Sequence, residues 1–208
     1  MSHTLGARQA QKQRTRQALL DAALELLAEQ SLSSLGLREV TRAAGVAPTA
    51  FYRHFRSTAD LGVALVDEAL DSLRPLVRAT VANAGSSEER IVGAMELITC
   101  YVQEHPAHVR FLAREQHGGV RPVRMAIQAQ LAGFTEEVKD ELALDPLSEG
   151  WSEADLRMLA GLYVDHMLLT AARLLEVLES APAERDHLIH TATDQLRLIS
   201  LGRARWRP

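Results

Sequence analysis

The side chains whose types and spacing point to chemistry lie in residues 49–55, and that chemistry is hydrogen bonding to an anion. Phe51 and Phe55 are four residues apart, so on a helix both point the same way and can bury a small core. Tyr52 and His54 are then left on the outer faces, where they can donate to phosphate. The same faces carry Thr49 and Arg53. A helix N-terminus beside these groups also favours an anion.

The elements around these residues have the pattern of a helix-turn-helix. A short helix over residues 37–44 is expected to stop at Gly45, the residue type that best adopts the left-handed conformation at a helix end. Pro48 is expected to open the next helix, which reaches about Phe55, because proline at the first helical position loses no bonded amide. Such a helix suits the major groove of DNA. The alternative interpretation is that Tyr52 and His54 form the solvated side of a small bundle.

Helical periodicity extends through nearly the whole chain, which predicts an all-α fold of about nine helices. The first helix is expected over about 9–30. Capping patterns predict helix starts at Ser57, Ser86 and Ser152. Pro75, inside the fourth helix, predicts a kink or break near Arg74 because proline removes one helical hydrogen bond.

Composition is that of an ordinary folded protein, with 208 residues, 47% hydrophobic and 24% charged. Residues 1–60 carry eight Arg or Lys against five Asp or Glu, a charge of +3, whereas the remainder carries fifteen against twenty-two, a charge of −7. Because the net positive charge is confined to residues 1–60, we expect only this part of the chain to bind a polyanion. We therefore expect a DNA-binding domain over 1–56 and a larger domain over 57–208.

Other sequence signals favour a cytoplasmic protein that is not an enzyme. Apolar runs fall short of the roughly 20 residues of a membrane span, and no secretory signal is recognised. Cys100 has no partner for an internal disulfide and is expected in the core. Glycine-rich phosphate loops and nucleophile elbows are missing from the sequence, and we expect no cofactor and no metal. The weak metal candidates are His105 with His108, and His187 with His190 and Asp194.

The segment from the first helix to Leu61 resembles the DNA-binding domain of the TetR family of bacterial transcriptional regulators. The resemblance is carried above all by Ala44-Gly45-Val46 and by Phe51-Tyr52-Arg53-His54-Phe55. It implies a regulator, most often a repressor, that binds a palindromic operator in double-stranded DNA. The residues that the resemblance places in the groove or on phosphates are Arg38, Pro48, Thr49, Ala50, Tyr52, Arg53, His54 and Arg56.

One position departs from the family pattern. Many members have a lysine near the start of the fourth helix that contacts phosphate, and this chain has Thr58 there. Arg56 could supply the missing charge, and so could a basic arm near the N-terminus. The arm could equally be a solvated helix face. Its residues are Arg8, Lys12, Arg14 and Arg16.

A single headpiece of this kind contacts few bases, so two related by a two-fold axis are expected, and the chain should form a homodimer. In the family the last two helices form the interface between subunits. The candidate interface residues are Leu156, Leu159, Leu188, Ile189, Ala192, Leu196 and Ile199. The alternative is that these apolar stripes pack inside one subunit.

Apolar residues of the middle helices are predicted to line a ligand chamber, although core packing explains each of them as well. They are Met95, Ile98, Tyr101, Phe111, Leu112, Met125, Leu131, Phe134, Tyr163 and Met167. Short segments such as Asp60-Leu61-Gly62 and Phe111-Leu-Ala-Arg-Glu115 look like the FabR/DesT-type branch, which represses unsaturated fatty acid synthesis or acyl desaturation.

That narrower resemblance implies a long-chain acyl-CoA or another acyl thioester as effector. Occupancy of the chamber would then shift the fourth helix and change the separation of the headpieces. Arg110 and Arg114 could bind the phosphates of this ligand, or pair with Glu115 or other surface acids. The alternative function is a TetR-type repressor of an efflux pump that responds to drug-like small molecules.

Overall fold

The computed structural model describes residues 2–83, 85–178, 182–203 and 205–206. Over these ranges the chain forms nine α-helices and no strand, which confirms the predicted all-α class. A short 3₁₀ helix, Pro146–Ser148, precedes α8. The helices are α1 (Ser2–Leu26), α2 (Leu37–Ala43), α3 (Pro48–Phe51), α4 (Thr58–Asn83), α5 (Ser87–Glu104), α6 (Pro106–Glu115), α7 (Arg121–Ala143), α8 (Glu153–Glu176) and α9 (Pro182–Arg203).

The chain divides into two compact units. The N-terminal unit contains the chain up to Glu68 together with Arg110–Ile127, and the larger unit contains Ala69–Val109 and the chain from Gln128 onward. These units are defined by packing, and they group residues 57–68 and 110–127 with the helix-turn-helix. The functional division expected at residue 56 stays a prediction.

Serine side chains begin three helices, as their spacing predicted. The hydroxyl oxygens of Ser57, Ser86 and Ser152 each accept a hydrogen bond, at 3.1 Å, from the amide of the residue three positions later. Each bond satisfies one of the amides that a helix leaves unpaired in its first turn. Local sequence therefore determines where α4, α5 and α8 begin.

The fourth helix continues through Pro75, so of the kink or break predicted near Arg74 the break does not form, and the kink stays a prediction. Arg74 and Arg78, on either side of the proline, both bind the carboxylate of Glu137 on α7. Arg74 also stacks on the ring of Phe134, with its guanidinium carbon 4.8 Å from the ring centroid. These contacts within the larger unit hold both flanking turns of α4 and offset the hydrogen bond that Pro75 removes.

The helix-turn-helix forms in the predicted order, but α3 is shorter than predicted. Gly45 has φ of +66°, the left-handed conformation expected at the end of α2. Regular α-helix covers only Pro48–Phe51, whereas the prediction extended it to Phe55. The amides of Arg53 and His54 bond three residues back, to Ala50 at 3.2 Å and Phe51 at 2.9 Å, which tightens this last turn.

The first helix ends four residues before the predicted position, at Leu26. The amides of Ala28 and Glu29 bond to carbonyls three residues back, at 3.1 and 3.3 Å, and so begin the turn that leads to α2. At its other end α1 starts at Ser2, ahead of the predicted Gln9. The basic arm is therefore part of a continuous helix.

Candidate nucleic-acid interface

Two phenylalanines anchor the helix-turn-helix from beneath. Phe51 is fully buried and Phe55 is 2% exposed, with ring centroids 5.6 Å apart. Val40 on α2 is also fully buried, and α2 packs on both α1 and α3. The prediction that Phe51 and Phe55 point inward is confirmed, and this fixes which face of α3 is left outside.

The outer face carries the polar set that the sequence singled out. Tyr52 is 65% exposed, and its ring stands edge-on to Phe51 at a centroid distance of 5.8 Å. The packing of the ring base orients the phenol, so its hydroxyl is presented outward at little entropic cost. Of the other predicted DNA contacts, Ala50 and His54 are half-buried, and Arg38, Pro48, Thr49, Arg53 and Arg56 are exposed.

The basic arm lies close enough to α3 to act on its residues. The guanidinium carbon of Arg16 lies 4.5 Å from the centroid of the Phe55 ring. Burial, and then the positive charges of Lys12, Arg16 and Arg53, hold the pKa of His54 below its usual value of 6.5. Lys12, Arg16 and Arg53 therefore place positive charge around His54 and form one surface with it, a proximity that spacing along the chain did not reveal.

The start of α4 is built from local hydrogen bonds beside this surface. The backbone amide of Arg56 donates to the carboxylate of Asp60 at 2.9 Å, which fixes the chain where α4 begins. The Arg56 side chain is exposed, and Thr58 is half-buried. Arg56 is thus presented two residues before Thr58, where it could supply the charge that Thr58 lacks.

The predicted chamber residues are divided between the two units, and their role stays a prediction. Met95, Ile98 and Tyr101 on α5 are buried in one apolar cluster of the larger unit, and Tyr163 and Met167 of α8 pack against that cluster. Leu131 is half-buried, and Phe134 is buried beneath Arg74. Three residues belong to the N-terminal unit instead, where Phe111 and Leu112 are buried and Met125 is 53% exposed.

Most of the predicted interface residues are buried within the protomer. Leu156 and Leu159 belong to one apolar cluster of the larger unit, and Ala192 and Leu196 to another. Each of the four is at most 7% exposed, so the alternative of packing inside one subunit is correct for them. Leu188, Ile189 and Ile199 are half-buried and pack against the same clusters.

Sequence reasoning missed the apolar residues that the last two helices leave outside. On α8, Met158, Leu162 and Leu169 are each about half exposed, and their spacing of four and seven residues places them on one side of the helix. On α9, Leu198 and Leu201 are 70% and 68% exposed. The signal was present as a second apolar row on α8, opposite the row that became core.

The structure also locates Cys100 and one of the histidine groups considered as weak metal candidates. Cys100 is exposed, not in the core, because it lies on the solvent-facing row of α5 between Glu96 and Glu104. His190 lies 3.3 Å from the carboxylate of Asp194 on α9. Within the described ranges, no group of three or more His, Cys, Asp or Glu side chains could hold a metal ion.

Arg114 binds backbone carbonyls, a role that was not considered from sequence. Its guanidinium donates to the backbone carbonyls of Leu27 and Gln30, at 2.9 and 2.7 Å, and more weakly to that of Ala28. These carbonyls follow the end of α1, in the same N-terminal unit. The side chain is thereby bound to the α1–α2 connection, and a contact to a ligand phosphate stays a prediction.

The helix-turn-helix lies in the part of the chain that matches a known protein family. Residues 19–65 match the family model TetR_N, described as bacterial regulatory proteins, tetR family. The match begins in α1 and ends within α4, so it contains α2 and α3 completely.

Solved structures of transcriptional regulators share the fold of the whole chain at low sequence identity. The fatty acid degradation regulator FadR from Bacillus halodurans is 17% identical with a TM-score of 0.72, covering 88% of this chain and 94% of its own. FadR from Bacillus subtilis in complex with stearoyl-CoA is 16% identical with a TM-score of 0.71, covering 88% and 96%. NalD from Pseudomonas aeruginosa, the secondary repressor of the MexAB-OprM multidrug efflux pump, is 20% identical with a TM-score of 0.65, covering 88% and 95%.

Proposed function

We propose that this chain, a transcriptional regulator whose residues 19–65 carry the TetR-family domain, binds a palindromic operator as a homodimer and senses long-chain acyl-CoA. One observation carries the DNA-binding part: Phe51 and Phe55 anchor α3 while Tyr52 and its polar neighbours face outward beside basic α1. Hydroxyl, imidazole and guanidinium groups on one face match the donors that hold phosphates and read base edges. The regulated genes are proposed to be those of fatty acid synthesis or desaturation.

Roles within this surface follow from exposure and position. Pro48, Thr49 and Ala50 form the first turn of α3 and are assigned to base edges, because the N-terminal end of a recognition helix points into the groove. Tyr52 and His54 come later and are assigned to phosphates, which hold the protein in register without reading sequence. The remaining proposed contacts are Arg38, Arg53 and Arg56, all of them exposed.

The homodimer is supported by the outer face of α8. This helix is the one candidate membrane span within the described ranges, and only 28% of its most apolar window is buried. Asp165 interrupts the exposed row of Met158, Leu162 and Leu169, and a carboxylate in that position would be costly in lipid. A second copy of the chain covers such a row more favourably, because a two-fold interface buries the same apolar patch of both subunits against each other.

The acyl-CoA effector is supported by the apolar cluster of α5 and α8 and by the low aromatic content of 4%, which suits an aliphatic chain better than a planar drug. One FadR structure of the same fold is a complex with stearoyl-CoA. Met95 and Met167 are unbranched and adapt to irregular contacts, as an acyl chain requires.

Operator binding in the presence of candidate ligands tests this proposal. We expect oleoyl-CoA or palmitoyl-CoA at micromolar concentration to change the dissociation constant for the protein's own promoter by about tenfold, a coupling of roughly 1.4 kcal/mol. Free CoA is the control, because it keeps the phosphates and lacks the chain. A response to cationic or aromatic drugs and none to acyl-CoA would favour the alternative function, repression of an efflux pump. NalD, which has a similar fold, is a repressor of such a pump.

Operator binding is also expected to strengthen as the pH falls below neutrality. His54 is kept mostly neutral in the free protein, since burial and nearby positive charges lower its pKa. A DNA phosphate beside the imidazole favours the charged form, so binding takes up a proton and gains affinity at lower pH, by at most about tenfold per pH unit. Fluorescence anisotropy at fixed salt measures this, and His54→Gln should flatten the profile. If operator affinity depended on pH equally in His54→Gln and in the wild type, His54 would not be a phosphate contact.

The lowered pKa of His54 has the opposite effect on folding stability, which decreases as the pH falls. The folded protein favours neutral His54, so below the ordinary value of 6.5 the unfolded chain binds more protons and folding weakens. As the pH falls, operator affinity therefore increases while folding stability decreases. A gain in affinity at low pH thus cannot be explained by a change in folding stability.

A further inference from the structure

Two adjacent side chains at the end of α6 bind the backbone of the α1–α2 connection. The guanidinium of Arg114 donates to the carbonyls of Leu27, Ala28 and Gln30. Carbonyls at a helix C-terminus have no partner within the helix, so a cation placed there both satisfies them and complements the helix dipole. Arg114 therefore closes the end of α1 from a different helix.

Glu115 binds the next part of the same connection. Its Oε1 atom accepts a hydrogen bond of 2.8 Å from the amide of Leu32, and Glu115 is only 1% exposed. The side chain of Leu32 packs against Gly62 of α4 so closely that a Cβ atom there would lie 2.4 Å from Leu32 Cδ2. Leu32 is thus held through its backbone by α6 and through its side chain by α4.

The chemistry of Glu115 is better suited to positioning than to stability. Its Oε2 atom is buried without a hydrogen-bond partner, and a buried polar atom left without one opposes folding. What the carboxylate supplies is a defined location for the Leu32 amide. From Leu32 the chain runs through a short turn to α2, which starts at Leu37 and packs on α3.

We propose that Arg114 and Glu115 are positioning residues for the helix-turn-helix: they hold the α1–α2 connection, and through it α2 and α3, in the orientation that operator binding requires. Both residues and all the backbone groups that they bind lie within the N-terminal unit. The link to operator affinity rests on the proposed function, whereas the positioning of α2 and α3 does not.

Two neighbouring glycines provide a matched test. A Cβ atom at Gly118 would lie 2.2 Å from Glu115 Oε2 and 3.0 Å from its Cδ, so Gly118→Ala must displace the carboxylate. A Cβ atom at Gly119 would meet nothing closer than Ser33 Cβ at 3.6 Å, an ordinary contact. Gly119→Ala is therefore the control for the loss of a glycine in the same loop.

The first measurement is amide hydrogen exchange on the protein without DNA. In Gly118→Ala we expect exchange of the Leu32 amide and of residues 37–51 to accelerate about tenfold or more, and in Gly119→Ala to change less than about twofold. Exchange in α5, α8 and α9 should stay the same, which a general loss of stability would not allow. Equal exchange of residues 37–51 in both variants overturns the positioning role.

The second measurement is operator affinity without added ligand, compared between Arg114→Ala and Arg110→Ala. Both changes remove one positive charge from α6, but only Arg114 is seen to bind the α1–α2 connection. We expect the dissociation constant for the operator to rise about tenfold in Arg114→Ala and to change less than about twofold in Arg110→Ala. A wild-type operator affinity in Arg114→Ala overturns the positioning role.

The two proposals fail in different ways. Wild-type protein that binds no operator, or that binds it without responding to acyl-CoA, contradicts the proposed function. The exchange comparison needs neither DNA nor ligand, so it still decides whether Arg114 and Glu115 position α2 and α3.

Discussion

Leu162→Glu is expected to convert the proposed homodimer into monomers and to abolish operator binding. Leu162 is 49% exposed at the centre of the apolar row formed with Met158 and Leu169 on α8. In a two-fold interface the change occurs twice and places two carboxylates in an apolar contact, next to the carboxylate of Asp165. We expect the dimer dissociation constant to rise at least about a hundredfold, roughly 3 kcal/mol, and operator affinity to fall with it.

Sedimentation velocity and gel shift on the same samples measure this effect. Val92→Glu is the matched control, because Val92 is an exposed apolar residue of the larger unit that lies on α5. The control should stay dimeric and bind the operator. A Leu162→Glu protein that sediments as a dimer would show that the apolar row of α8 is not the interface.

Phe51→Ala is expected to cost about 3–5 kcal/mol of folding free energy in the N-terminal unit, the range for truncating a fully buried phenylalanine. Phe51 is fully buried and contacts the rings of both Tyr52 and Phe55. A loss of this size is a large share of the stability of a typical domain, so α3 should lose its fixed orientation and operator binding should disappear. Urea unfolding followed by circular dichroism, with amide exchange on α2 and α3, measures the loss.

The adjacent aromatic residue is the control for Phe51→Ala. Tyr52 is 65% exposed, so Tyr52→Ala should cost no more than about 1 kcal/mol of stability. It should nevertheless weaken operator binding, and equally for all DNA sequences, since a phosphate contact carries no base information. If Tyr52→Ala destabilised the protein as much as Phe51→Ala, the division between an inner anchor and an outer contact face would be wrong.

Local sequence determined the parts of the fold that depend on neighbours along the chain. Serine caps set the starts of α4, α5 and α8, and Gly45 ends α2 with the conformation that its type favours. The spacing of Phe51 and Phe55 decided which face of α3 is buried, because their two side chains are too apolar to stay outside while the intervening positions are polar. These are short-range effects, and they made the helix-turn-helix recognisable.

Only the tertiary structure decided which of two apolar rows on one helix becomes core. α8 is apolar on more than one side, and the periodicity does not distinguish the side that buries Leu156 and Leu159 from the side that exposes Leu162. The same limit explains why Cys100 was wrongly expected in the core and why the partners of Arg114 were not foreseen. Cys100 lies on a solvent-facing row, and Arg114 reaches carbonyls more than eighty positions earlier in the chain. Helical spacing shows which side chains of one helix point the same way. Whether they point into the core or into solvent depends on how the other helices pack around them.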